Sequence, residues 1–398
     1  MTPQQTERDD LEREIQIRVG QRVRELRLAA GMTAVEVSGR SGISQGQLSK
    51  IENGKAVLSS KVLAALCRVF DRPMGYLFQS RDEMPRVLGT LTTVKGPEDK
   101  GIKAFADNVH RRTGKRISLI PLSLAQLGTA CTQVEALREG LIDLFIEEPF
   151  YYDAFVPGFR LFALPYTFRD EDHRQAFLSG DHFRHALCEP LRRAGIRFLN
   201  SRWNWFRGRE WVLVAEKPIT EPQDIRGLRV RTPLSDIHQH FWRLMGAHPV
   251  AVPWNGVAAA LRSRKVDVVP THKTHLYPLR FCRYARFVTR LADLPPVLSL
   301  GINDSRYQVL PPGIQEGLKD ACDTAGEFFS RCVLDAEKEN ERLNISRFKA
   351  VYLTVDVALW RNAVDVARQR LIEEGHLDTA VWEAAMAAAP GNAERTTQ

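Results

Sequence analysis

The stretch GMTAVEVSGRSGISQGQLSKIENGKAVLSSKVLAALCRVFDRPMGYLF, residues 31–78, decides the architecture of the N-terminal part of this chain. TAVE at 33–36 is a capping box: a threonine hydroxyl can take the amide three residues on, and the glutamate can reach back. It opens a helix that ends at Gly42 and Ile43, which make a tight turn. SQGQ at 44–47 repeats the cap-and-reach pattern and opens a further helix through Leu48 and Ile51 to Asn53 and Gly54. Ser59 or Ser60 caps the next, with Val62, Leu63, Leu66, Val69 and Phe70 on its apolar side. A short helix can follow over 73–78.

Upstream, Ile15, Val19, Val23 and Leu26 recur at helical intervals, with Arg18, Arg22, Arg24 and Arg27 on the other faces and Gly31 as the stop. Gly20 sits inside this helix and weakens it intrinsically, so a packing reason for it is expected. The acidic residues 9–14 either extend the helix, where they can serve dimer contact, or form a solvated tail. Five short helices with a tight turn between the second and third define an all-α helix-turn-helix domain over residues 1–80. The run S44-x-x-x-L48-S49-x-I51-E52-x-G54, with GQRVRELR at 20–27, resembles the phage-repressor and Cro-like (XRE) family.

That resemblance implies that the third helix lies in the major groove of double-stranded DNA. Gln45 and Gln47 can then pair with adenine, and Lys50 can reach guanine or phosphate. Asn53, Lys55 and Arg22 are candidate phosphate contacts. Gly46 removes one potential base reader from the same helix. A formal charge of +8 over 398 residues suits a polyanionic partner without demanding one.

The length allows a small domain and a large one. Residues 2–14 are polar and charged where a secretory signal needs an apolar core, and no apolar run is long enough to span a bilayer, so a cytoplasmic protein with no membrane partner is expected. Cys67, Cys131, Cys188, Cys282, Cys322 and Cys332 are scattered, with no CxxC pair, and read as reduced, mostly buried thiols.

After a polar linker at 81–85, strand-like runs at 87–94, 117–122 and 141–146 alternate with helical patterns at 101–112 and 133–139. Alternation of this kind argues an α/β domain over 86–398 with a largely parallel sheet, long enough for two lobes. From 312 to 386 the pattern is helical, interrupted by a short strand at 349–353.

A collinear series of segments in this region resembles the solute-binding proteins of tripartite ATP-independent periplasmic (TRAP) transporters, dicarboxylate type. They are AQLG at 125–128, EALREG at 135–140, ID at 142–143, FVPGF at 155–159, LPYTFRDEDH at 164–173, LRRAG at 191–195, KPITEPQDIRGLRVRTP at 217–233, MGAHPV at 245–250, residues 253–261, and VD at 266–267. The family folds as a two-lobed, periplasmic-binding-protein-like clamp that closes on an organic acid, and the resemblance assigns Arg231 as its signature arginine. A guanidinium presents a planar fork of donors that matches a carboxylate. Alternation along the strand at 228–232 puts Arg229 and Arg231 on the same face, so periodicity does not choose between them; the resemblance does.

A second family arginine corresponds to Arg209, with Arg207 competing. Tyr151 and Tyr152 fall where family members line the cleft. Trp203, Trp205 and Trp254 can stack on a ligand or fill the core. The family's polar run after the aspartate is replaced here by VVPTH at 268–272, so Thr271 and His272 stand in for those contacts. No P-loop, GxGxxG after a strand, GxSxG or HExxH occurs, and no cofactor or metal is implied; the chain is not expected to be an enzyme. A clamp fused to a DNA-binding module reads as a ligand-responsive homodimeric regulator of a small organic acid. The alternatives are a solute-binding protein of a transporter, or a regulator whose clamp serves only oligomerisation.

Overall fold

The computed structural model describes residues 3–56, 58–78, 84–90, 96–122 and 127–390. The AQLG segment therefore lies partly, at 125 and 126, outside the described residues, as do linker residues 81–83 and the end of the first strand-like run at 91–94. The chain divides into two compact units, one of residues 1–91, 106–145 and 301–318, the other of 92–105, 146–300 and 319–398.

The first unit begins with helices α1 (Pro3–Ala29), α2 (Ala34–Ser41), α3 (Gln45–Glu52), α4 (Ser60–Phe70) and α5 (Met74–Leu77). The backbone of residues 9–14 continues α1. The Thr33 capping box forms in full, Glu36 N–H donating to Thr33 Oγ1 at 3.2 Å and Thr33 N–H to Glu36 Oε2 at 2.7 Å. Ser44 caps α3 through the Gln47 amide at 3.2 Å, but the reach back by Gln47 expected from the sequence is not made; that side chain is left exposed. Ser59, rather than Ser60, caps α4. Val19, Val23, Val37, Leu48, Ile51, Leu63 and Leu66 form the core of this bundle.

Helices α1 and α3 meet at Gly20, where an added Cβ would stand 2.2 Å from the Ile51 carbonyl oxygen. That contact is the packing reason for a glycine inside α1. Two turns further along α1, Arg27 holds both oxygens of Glu52, Nε to Oε1 at 2.6 Å and Nη2 to Oε2 at 2.9 Å, so α3 is both sterically and electrostatically fixed against α1. Gly54, at φ +64°, turns the chain away where a side chain would collide with the Ile17 backbone.

The same unit carries strands β1 (Met84–Thr90) and β2 (Ile117–Leu122), the first half of β3 (Leu144–Glu147), whose last two residues belong to the second unit, and helix α6 (Pro97–Arg112), whose first residues also belong to the second unit. β1 and β2 pair in parallel, Val87 opposite Ile120. The helix-turn-helix is seated on this sheet: Met74, Leu77 and Phe78 are buried, and the Met74 amide donates to the Leu141 carbonyl at 3.1 Å.

In the second unit, β4 (Ile196–Phe198) precedes a six-stranded sheet of β5 (Trp211–Ala215), β6 (Arg229–Thr232), β7 (His248–Ala251), β8 (Val268–His272), β9 (Phe287–Arg290) and β11 (Val351–Thr354), with β10 (Ser299–Asn303) between β9 and β11 in the chain. The sheet order is β11-β9-β5-β8-β6-β7. It is mixed, not largely parallel: β6 runs parallel to β7 and β8, but β5 is antiparallel to both β8 and β9. Val212, Val214, Val252, Val257, Leu261, Val269, Phe281 and Val288 form its core. Trp203 and Trp205 are buried here too; Trp203 packs edge-on against Phe183 and Phe198, and Trp205 donates to the Cys322 carbonyl at 2.9 Å. They are core side chains.

Two glycine substitutions test the helix packing in opposite directions. Gly20→Ala should lower the thermal stability of the full chain by about 1–3 kcal/mol, because the methyl overpacks α1 against the α3 backbone. Gly46→Ala faces open space and should raise it by up to about 1 kcal/mol, the helix-propensity difference. Denaturation followed by circular dichroism checks both; equal effects would show that α1 and α3 do not meet at Gly20.

Candidate functional site

On the helix-turn-helix, Gln45, Gln47 and Lys50 are exposed along α3. The buried pair Leu48 and Ile51 holds the opposite face of this helix, which leaves Gly46 near the middle of the outer one. Asn53, at its C-terminus, donates to the Ser49 carbonyl at 2.8 Å, and Lys55 is exposed beyond it. Arg22 is differently occupied: its guanidinium donates to Glu25 at 2.7 Å and lies 5.5 Å from the centre of the Tyr76 ring. It braces α1 against α5 as well as offering charge.

In the second unit, strand direction gathers the polar residues. β6, β7 and β8 are parallel, so Arg231, Val252 and His272 come to the same, carboxyl end of the sheet. β5 runs the other way, which brings its first residue, Trp211, opposite His272. Carboxyl ends of strands in open α/β sheets are where ligands commonly bind.

Arg229 and Arg231, two residues apart, meet opposite fates. Arg229 is exposed and forked onto Asp267, at 2.9 and 2.6 Å. Arg231 is buried, 7% exposed. Its Nε donates to the Val252 carbonyl at 3.0 Å, and its guanidinium carbon lies 5.4 Å from the centre of the Trp254 ring. Among the described residues no carboxylate comes within ion-pairing distance of it. Burial pulls its pKa down to about 10, against the weaker upward pull of Tyr151 and Glu148. Next to it, burial and the Arg231 charge hold His238 neutral, its pKa lowered to about 3.

Arg207 is buried as well, but with acids. Its guanidinium meets Glu98 at 3.0 Å, Glu147 at 3.0 Å and Glu148 at 3.4 Å. Burial lowers its pKa, and the three carboxylates more than reverse this. The backbone around it is fixed: the Phe206 amide donates to Ser330 Oγ at 2.8 Å and the Arg207 amide to the Pro296 carbonyl at 3.1 Å. Two histidines complete the cluster. His272 Nε2 lies 3.1 Å from Glu148, and His275 Nε2 lies 3.0 Å from Glu98. Burial lowers both, His272 to about 3. Burial also raises Glu147, and raises Glu148 to about 7.

Of the residues singled out in the sequence, Arg231, Tyr151, Thr271 and His272 come together. Thr271 Oγ1 is 3.4 Å from His275 Nδ1. Tyr151 is partly buried; burial and then Glu147 raise its pKa, while Arg231 lowers it. Trp254 joins them, packed on both Arg231 and His275, the latter at 4.8 Å. Tyr152 is placed elsewhere, among Phe159 and Phe198 in the core. Arg209 points outward with 62% of its side chain exposed, and its amide donates to Glu337 at 2.9 Å. Arg207 occupies the buried position. Glu98, Glu147 and His275 escaped sequence reasoning. The signal for one pair was present: LFIEEPF at 144–150 ends a fully apolar strand in two adjacent carboxylates, a pattern that requires buried cations.

A five-helix bundle followed by an α/β, two-sheet fold with a buried arginine at the strand ends defines a solute-binding protein joined to a helix-turn-helix. The family profile for bacterial extracellular solute-binding protein, family 7, matches residues 88–373, and one for a helix-turn-helix domain matches residues 18–74. The chain belongs to that solute-binding family and carries a helix-turn-helix domain ahead of it. It is 24% identical over 237 residues to the 2,3-diketo-L-gulonate-binding periplasmic protein YiaO of Escherichia coli, covering 60% of this chain and 71% of the relative. It is 23% identical over 256 residues to the sialic acid-binding periplasmic protein SiaP of Vibrio cholerae, covering 63% and 77%. In fold it is similar to a TRAP periplasmic solute-binding protein of Shewanella oneidensis crystallised with succinate, with a TM-score of 0.68 and 21% identity over 76% of this chain and 98% of that one. The relatives and the fold are solute-binding, not catalytic. Among the described residues no helix is long and apolar enough to cross a membrane.

Burial of Glu148 has a consequence for stability. A carboxyl whose folded pKa is raised to about 7 contributes stability below its ordinary range and loses it as pH rises through about 7. Replacing Glu148 with glutamine removes that titration. The wild-type melting temperature relative to Glu148→Gln should therefore fall as pH is raised from about 5 to about 8. A difference that is flat, or that rises, would show Glu148 to be ionised throughout.

Proposed function

We propose that this chain is a cytoplasmic DNA-binding transcriptional regulator that senses a small organic carboxylate through its solute-binding domain and acts as a homodimer. The observation that carries the reading is Arg231: a buried guanidinium with one backbone acceptor and, among the described residues, no carboxylate, in a chain that also presents an exposed α3. A buried charge is stable when it is paired, and a ligand carboxylate is the group that its planar fork fits. Tyr151, Thr271 and His272 supply neutral polar groups around it. The relatives, named for sugar-acid and sialic-acid binding, support an acid of that size. DNA binding places the protein with the chromosome, and helix-turn-helix proteins read paired half-sites as dimers. The Met74–Leu141 contact supports the coupling, since it makes the helix-turn-helix part of the first unit's body. A ligand that binds one state of the solute-binding domain more tightly then shifts the population that engages DNA.

On DNA, Gln45→Ala should relax base preference, whereas Lys55→Ala should weaken binding to all sequences and flatten the salt dependence by about one unit of slope. Selection from a random-sequence DNA pool followed by salt titration reads both. Failure of the full chain to retain any duplex at low salt would remove the regulator reading.

For the ligand, screening the full chain by thermal shift against succinate, hexuronates, aldonates and sialic acid should find a stabilising acid. At about a hundredfold excess over Kd it adds about 2.7 kcal/mol. Arg231→Ala and Arg231→Lys should both lose this shift, because an ammonium cannot pair two oxygens in one plane. DNA binding by both unliganded variants should persist. A full ligand shift in Arg231→Ala would take Arg231 out of the site.

A further inference from the structure

The charges around Arg231 constrain the ligand further. Glu98, Glu147, Glu148, Arg207 and Arg231 are all buried, and burial keeps His272 and His275 neutral. Among the described residues, three carboxyl groups therefore face two guanidinium groups before any ligand arrives. A plain carboxylate on Arg231 would make four against two in a region where uncompensated charge is costly.

Within the excess, Glu148 is the available group. Its Oε1 accepts from Arg207 at 3.4 Å and from His272 at 3.1 Å, whereas its Oε2 is buried without a hydrogen-bond partner. It lies within electrostatic range of Arg231 and of Tyr151. On the side of Glu148 away from Arg231, Glu148 and Trp211 line a cavity of about 50 Å³ whose other walls include the charged pair of groups Arg174 and Asp293. The rings of Trp211, on His272 at 4.9 Å, and Trp254, beside Arg231, are surfaces that favour cations.

We propose that the site selects a zwitterion: an amino-bearing carboxylic acid whose carboxylate pairs with Arg231 and whose N–H-bearing cation donates to Glu148 Oε2. The inference rests on the carboxylate reading of Arg231 and goes beyond it by naming the ligand class. The two guanidinium groups and the ligand cation then face four carboxylates, the same excess as in the empty site. Glu148 gains the donor that its second oxygen lacks. Binding an acid without nitrogen instead requires Glu148 to take up a proton or leaves the excess doubled.

The test uses the full chain at about pH 7.5 and calorimetry with matched pairs differing by one amino group. These are succinate and aspartate, glutarate and glutamate, propionate and alanine, and butyrate and 4-aminobutyrate. The expected result is at least one pair in which the amino member binds about tenfold or more tightly than its partner. Glu148→Gln should erase that preference, the ratio of the two affinities within the pair falling to about one, and Arg231→Ala should abolish binding of both members. Plain acids that bind the wild type as tightly as their amino partners in every pair that binds overturn the inference while leaving the carboxylate reading intact. Binding indifferent to Arg231→Ala, or no binding by any member, overturns the carboxylate reading and this inference with it. If Glu148→Gln does not fold, the wild-type preference across the pairs decides alone.

Discussion

Taking a guanidinium out of water without giving it a counter-ion is among the least favourable things a fold can do, and the second unit does it at Arg231. Its sole hydrogen bond in the described structure is to the Val252 carbonyl, and its aromatic neighbour Trp254 offers only a ring face. The surroundings are arranged to tolerate this. His238 stays neutral beside it, and β6 is an inner strand of the sheet, held between β7 and β8, so the side chain has little freedom to swing out to solvent. A desolvated donor fork held this rigidly is costly to the fold, and its planar geometry matches that of a carboxylate.

Arg207 shows the opposite solution within the same unit. It is as deeply buried as Arg231, yet it is surrounded by Glu98, Glu147 and Glu148 and anchored through its backbone. One arginine completes an internal network; the other has, among the described residues, only a backbone carbonyl as its hydrogen-bond acceptor. Glu148 belongs to both settings, bonded to Arg207 and His272 through one oxygen and within range of Arg231. Desolvation rather than any single neighbour dominates the titration of this cluster, because low dielectric amplifies each charge and each vacancy alike.

The helix-turn-helix bundle is built on a separate constraint. Gly20 lets the α1 and α3 backbones touch, and the Arg27–Glu52 fork fixes their angle, so the exposed face of α3 is set by contacts on its hidden side. Met74 ties the bundle to the first sheet through a main-chain hydrogen bond. A side-chain substitution does not remove such a bond directly, which makes the attachment tolerant of surface variation.

Local chemistry was legible in the sequence. The caps at Thr33 and Ser44, the stop at Gly31, the strand at 117–122 and the helical C-terminal region follow from turn chemistry and periodicity, which depend on neighbours a few residues away. Gly20 announced a close approach, though not its partner. The ordered motifs of the solute-binding family pointed to Arg231. What only the tertiary structure decided was everything that depends on residues distant in sequence. Alternation put Arg229 and Arg231 on one face; the pairing of Arg229 with Asp267 and the covering of Arg231 by Trp254 separated them. The antiparallel course of β5 brought Trp211 to His272, against the expectation of a largely parallel sheet. Arg207, not Arg209, was turned inward, because the core contacts of Trp205 and Ser330 set the course of that loop. Charge burial is a property of the assembled environment, so no spacing in the chain could say which arginine would be left without an acid.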